Sequence, residues 1–111
     1  MANPQKRKGD RAERDVLAML RPFFPDAHRT RAGRREDEGD ILTSTFTIQV
    51  KDVKNAQWKT WLTEWDTQHT LSGKPHKMLV WKRRGYGGQK PRWLAVMELE
   101  DLLPLIGEAD G

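Results

Sequence analysis

Two short β-rich runs, Asp40-Ile-Leu-Thr and Phe46-Thr-Ile-Gln-Val-Lys, carry the side chains of this 111-residue chain best suited to chemistry. Only Ser44-Thr45 separates them, which is the spacing of a tight hairpin. A loop centred there pairs 43 with 46, 42 with 47, 41 with 48 and 40 with 49. Side chains alternate along a strand, so Asp40, Leu42, Thr47, Gln49 and Lys51 are expected on one face and Ile41, Ile48 and Val50 on the other. Directly opposed residues hold their Cβ atoms about 4.5–5.5 Å apart, so Asp40 and Gln49 can offer two oxygens to one hard cation. Lys51 follows two residues along that face. A carboxylate, an amide oxygen and an ammonium in one cluster are what metal-assisted phosphodiester hydrolysis needs. The cation polarises the phosphate and acidifies a water, and the lysine orients that water or stabilises the pentavalent transition state. A register slip of one residue would dismantle the cluster. Ser-Thr is not a favoured two-residue turn, but a symmetric loop over 43–46 keeps the same pairs.

Glu13 is the fourth candidate. Asp10-x-x-Glu13 fits a capping box at the start of a helix, which requires no function. Glu13 also precedes Val16, Leu17 and Leu20 by three, four and seven residues, so it belongs to an inward stripe, where a carboxylate needs a partner. A metal site or Lys51 would supply one; both readings stand at this point.

The elements that must position these residues can be read from periodicity. Residues 1–8 lack a hydrophobic period and read as a mobile basic arm with Lys6, Arg7 and Lys8. Ala12, Val16, Met19 and Leu20 recur at helical spacing up to Pro22, which predicts a first helix from Gly9-Asp10. Residues 27–32 alternate weakly and predict a first strand. Asn55 is placed to cap a second helix with Trp58, Trp61, Leu62, Trp65 and His69 on one stripe, ending at Gly73 and Pro75. Such a tryptophan stripe more often packs in a core or an oligomer face than stacks on a ligand. Two further strands, 77–82 and 92–97, flank the basic glycine-rich loop 83–90, and a short helix starting near Glu98 runs past Pro104. The expected fold class is α/β, a mixed sheet flanked by helices in the order helix, three strands, helix, two strands, helix, as one domain over 9–106 with a frayed tail at 107–111.

Charge is segregated along the chain. Residues 1–35 carry ten Lys/Arg against four acids, and residues 74–92 carry seven against none, although the formal net charge is only +4. Such segregation suits a polyanion. Arg29, Arg31, Arg34 and Arg35 would flank a scissile phosphate beside Asp40, as would Lys54, and Arg83, Arg84 and Lys90 with Tyr86 could reach into DNA from their loop. Without cysteine there is no disulfide framework and no thiolate metal site. His28, His69 and His76 lack zinc-ligand spacing. No apolar run approaches the roughly 20 residues of a membrane span, and the amino terminus has no signal-peptide core, so a soluble cytoplasmic protein is expected.

The string KGDRAERDVLAML at 8–20, then GDI at 39–41 and IQVKD at 48–52, resembles the PD-(D/E)XK nucleases and, within them, the archaeal-type Holliday junction resolvases. The resemblance covers residues 6–55 by motif and the remainder by element order. It implies a restriction-endonuclease-like fold, a Mg²⁺- or Mn²⁺-dependent endonuclease acting on branched DNA, and a homodimer. By position it implies Glu13 and Asp40 as metal carboxylates and Lys51 as the lysine, with Gln49 standing where a glutamate is usual. The neutral amide weakens the site's hold on a hard cation. Asp52 falls on the opposite strand face and cannot replace it, whereas Asp37 or Glu38 could. Two alternatives follow from the same residues: a nuclease for linear duplex or single strands, and a DNA-binding module whose catalysis has lapsed.

Overall fold

Phe46–Lys51 forms β3, and its alternation organises both layers of the molecule. The computed structural model describes residues 4–30, 39–85 and 87–110, with side chains from Lys8 onward. The elements are α1 (Pro4–Leu20), β1 (His28–Arg29), β2 (Ile41–Leu42), β3, α2 (Trp58–Ser72), β4 (His76–Arg83), β5 (Arg92–Val96) and α3 (Leu99–Asp110). The five strands make one mixed sheet in sequence order. Strands β1, β2 and β3 form an antiparallel meander, β4 runs parallel to β3, and β5 is antiparallel to β4. Parallel neighbours need a crossover connection, and α2 provides it.

One face of β3, made of Phe46, Ile48 and Val50, packs with Ile41 and Val80 beneath Ala12 and Val16 of α1. On the other face, Leu79 of β4 packs beneath Trp61 and Trp65 of α2. Each large apolar side chain buried in this way stabilises the fold by roughly 1.5–3 kcal/mol. Thr47 and Gln49 are also buried, at 1% and 2% exposure, so β3 is covered on both sides.

The Ser-Thr connection closes because Thr43 acts as its own turn acceptor. Its Oγ1 accepts from the backbone N–H groups of Thr45 (3.1 Å) and Phe46 (2.9 Å), a local bond that stands in for the missing glycine. The N–H of Ser44 donates to Asp26 Oδ2 at 2.6 Å. The resulting register pairs Ile41 with Ile48 and Leu42 with Thr47, as alternation predicts.

Several boundaries differ from expectation. The first helix begins at Pro4 and takes in residues 4–8, which were expected as an arm; proline is well suited to a first helical position. Asp10 and Glu13 are therefore interior to α1 and form no capping box. Of the expected first strand, His28–Arg29 forms β1, Ala27 and Thr30 fall outside it, and residues 31–32 lie outside the described residues. The N-cap of α2 is Gln57, not Asn55, and it makes no side-chain capping bond. At the other end Gly73 does cap α2, with φ 67° and its N–H 3.3 Å from His69 O. The buried face of α2 is Trp61, Trp65 and Gln68, while Trp58 and Leu62 are exposed. Helix α3 spans Pro104 and continues to Asp110, so most of the expected frayed tail is helical, and Leu99, Leu103 and Ile106 lie on its exposed side. Among the described residues no helix is long and apolar enough to cross a membrane.

Candidate active site

Asp40 is held at the mouth of the β2–β3 hairpin by its own backbone. Its N–H donates to Ile48 O (2.9 Å) and its carbonyl accepts from Thr30 N (3.1 Å). Its carboxylate oxygen Oδ2 accepts from Val50 N at 2.7 Å, so it lies against β3 between Gln49 and Lys51. Gly39 prepares this placement. Its φ of 106° is open to glycine alone at little cost, and a Cβ there would collide with Thr47 Oγ1. The hydroxyl of Thr30 ties down Gly39 O at 2.9 Å.

Gln49 and Lys51 converge as expected, but the carboxylate that joins them comes from α2. Glu64 Oε2 accepts from Gln49 Nε2 at 2.8 Å and from Lys51 Nζ at 3.1 Å. Glu64 sits between Trp61 and Trp65, whose burial turns this stretch of the helix toward the sheet. That position was the one available signal in the sequence, an acid three residues after one tryptophan and directly before another. Lys51 lies over the Trp61 ring, 5.9 Å from its centroid. The Lys51–Glu64 pair is partly open to solvent, at 22% and 42% exposure, so as an ion pair alone it adds at most about 1 kcal/mol. The opposite end of the Gln49 amide is less settled: Oε1 is buried and has no hydrogen-bond partner among the described residues. An orphaned buried acceptor costs about 1–3 kcal/mol, a penalty that a bound cation would remove.

Gln49 and Glu64 are in contact and the Asp40 carboxylate lies on the neighbouring Val50 N–H; all three offer oxygen donors, the type that suits a hard divalent cation. Among the described residues no three His, Cys, Asp or Glu side chains cluster closely enough to hold a metal by themselves. Gln49 Oε1 and oxygens from outside the protein would have to complete the shell.

Glu13 is placed elsewhere. Its Oε1 accepts from Arg29 Nε at 3.2 Å, and the other arm of the same guanidinium bonds Asp10 at 2.8 Å. Arg29 pairs with Ile41 across the β1–β2 ladder and shares the α1 face, opposite to Gln49 and Lys51. The partner of Glu13 is therefore Arg29, and Arg29, expected at a phosphate, is engaged by two carboxylates of α1. Burial pushes the Glu13 carboxyl above its ordinary value of 4.5, with Arg29 working against the rise. The unfolded chain then loses this proton at lower pH than the folded one, so the charged group costs stability as pH rises through the folded value. Glu13→Gln should gain stability relative to wild type between pH 4 and pH 7, because Asp10 still pairs Arg29. Urea melts at the two pH values test this, and a difference that is flat or falls with pH refutes it.

The parallel run of β3 and β4 carries the basic hairpin to the Lys51 end of the sheet. Lys51 is in register with Trp81, and Lys82, Arg83 and Arg84 follow directly. Arg83, Arg84, Lys90 and Arg92 line a shallow cleft, with Arg84 3.8 Å from Asp52. Lys54 is exposed beyond the end of β3, and Lys8 is half-buried on α1. The side chains of Lys6 and Arg7, and residues Arg31, Arg34, Arg35, Asp37, Glu38 and Tyr86, lie outside the described residues. Compared with protein-family models, with curated proteins and with solved structures, the chain matches none.

Proposed function

We propose that this chain is a divalent-metal-dependent DNA endonuclease of the PD-(D/E)XK type on a restriction-endonuclease-like sheet. The observation that carries the reading is the convergence of Gln49, Lys51 and Glu64, which returns a carboxylate to a strand that lacks one. Asp40, Gln49 and Glu64 would hold Mg²⁺ or Mn²⁺, which when bound polarises a phosphate and acidifies a water. Lys51, the cation of the cluster, stands where it can bind a phosphate oxygen or orient the attacking water. The basic hairpin at the same sheet end would take flanking phosphates, a contact that positions DNA without reading its sequence. Glu13, bound to Arg29, supports α1 and β1 in this reading and does not enter the metal set.

A four-way junction is the substrate the family resemblance suggests. Two symmetric cuts call for a two-fold dimer, for which Leu99, Leu103 and Ile106 offer an exposed apolar surface. A labelled four-way junction incubated with Mg²⁺, and then with Mn²⁺, should be nicked in pairs, and Asp40→Ala or Lys51→Ala should abolish the nicks. Binding without cleavage in either metal overturns the enzymatic reading. It would instead favour a DNA-binding module whose catalysis has lapsed, for which the neutral Gln49 and the closed Lys51–Glu64 pair speak. Cleavage of duplex or single strands in preference to junctions would move the substrate and keep the chemistry.

A further inference from the structure

Trp58 opens α2 at the end of the sheet where β3 delivers Lys51. It packs edge-to-face on Trp61 (5.3 Å, 78°) and on Trp81 (5.9 Å, 81°), and those two rings pack on each other at 5.9 Å. The third ring is itself fixed, since Trp81 Nε1 donates to Val53 O at 2.9 Å. Trp61 is fully enclosed, whereas Trp58 remains 41% exposed. Both neighbours meet Trp58 near the perpendicular and hold it in place, while 41% of the residue stays open to solvent and to a stacking partner. A lone exposed apolar residue needs no explanation. An indole locked by two others and next to a cation cluster does, because holding it at the surface gains less burial than turning it inward.

The surroundings are cationic. Lys51 covers Trp61, Lys54 and Lys59 are exposed on either side of Trp58 in the sequence, and Arg83 follows Trp81 on the same face of β4. Aromatic rings alternating with cations suit a nucleic-acid strand whose bases are out of the duplex, with phosphates on the cations and a base on the ring. We propose that Trp58 is a stacking platform for an unpaired nucleobase, so that the DNA strand taken by the site is locally single-stranded. This rests on the nucleic-acid reading above and, within it, favours strands with unpaired bases over a fully paired four-way junction.

The test uses the full chain in EDTA, where no strand is cut, titrated with labelled oligothymidylate and with a blunt duplex of equal length. Trp58→Leu keeps apolar bulk against Trp61 and Trp81 but removes the ring. It should weaken oligothymidylate binding about 5- to 100-fold and leave the duplex nearly unchanged, while Trp58→Phe retains most of the affinity. Equal loss on both ligands, no loss on oligothymidylate, or no oligothymidylate binding by the wild type overturns the proposal. If the leucine variant unfolds, iodide quenching of the wild type decides: bound oligothymidylate should shield the exposed indole, and unchanged quenching overturns the platform. A Trp58-dependent complex that Mg²⁺ and Mn²⁺ never convert to product would sink the nuclease reading alone. Cleavage that persists without any Trp58-dependent binding would sink the platform alone.

Discussion

Glu64→Gln should reduce metal-dependent cleavage about 10²- to 10³-fold, the usual effect of removing one preorganised electrostatic group from a phosphoryl or acyl transition state. The fold should survive, because Glu64 is nearly half exposed and its pair with Lys51 contributes little to stability. Gln49→Glu in the wild-type background has a different expected result. Gln49 Nε2 now donates to Glu64, and a second carboxylate in its place would oppose Glu64 across 2.8 Å. That variant should melt lower without metal and recover on adding Mg²⁺ or Mn²⁺, with cleavage equal to or above wild type. Combining the two substitutions moves the carboxylate from helix to strand and should restore part of the activity lost in Glu64→Gln. Cleavage rates and metal-dependent melting of the four proteins form a double-mutant cycle. Strict additivity would show that Glu64 and Gln49 do not share one site, and full activity in Glu64→Gln would remove Glu64 from the machinery.

The largest expected stability change is at Trp61. Trp61→Ala should cost about 3–5 kcal/mol, the range for deleting a buried aromatic side chain. A domain of this size holds about 5–15 kcal/mol in total, so the variant should lose a large fraction of its stability. The reason lies in what the ring supports: it sits in the α2-side core with Trp65 and Leu79, packs against Trp58 and Trp81, and lies under Lys51. Trp58→Leu should cost much less, since Trp58 is 41% exposed. Urea unfolding of both variants measures the contrast, and equal losses would mean that the three-ring cluster, not burial of Trp61, carries the stability.

What the sequence by itself determined is local and periodic. The alternation of Ile48 and Val50 with Thr47, Gln49 and Lys51 dictates which side chains share a face, because strand period is built into the backbone. The registers of Ile41 with Ile48 and Leu42 with Thr47 follow from it, and Gly73 ends α2 because glycine alone enters a left-handed cap cheaply. Where helical period was read without knowing which face would be covered, the outcome differed: Trp58 and Leu62 belong to the same repeat as Trp61 and Trp65, yet only the latter two are buried. Only the tertiary structure decided which carboxylates meet which cations. Glu13 and Glu64 both sit on inward helix stripes, and nothing within either helix distinguishes them. The packing of α1 on the Ile41 and Ile48 face delivers Glu13 to Arg29, and the packing of α2 on the other face delivers Glu64 to Gln49 and Lys51. Those contacts span 13 to 16 residues in sequence, beyond the reach of any local pattern. The hairpin could therefore be read as holding Asp40, Gln49 and Lys51 on one face, while the acid that joins the last two came from α2, the crossover helix itself.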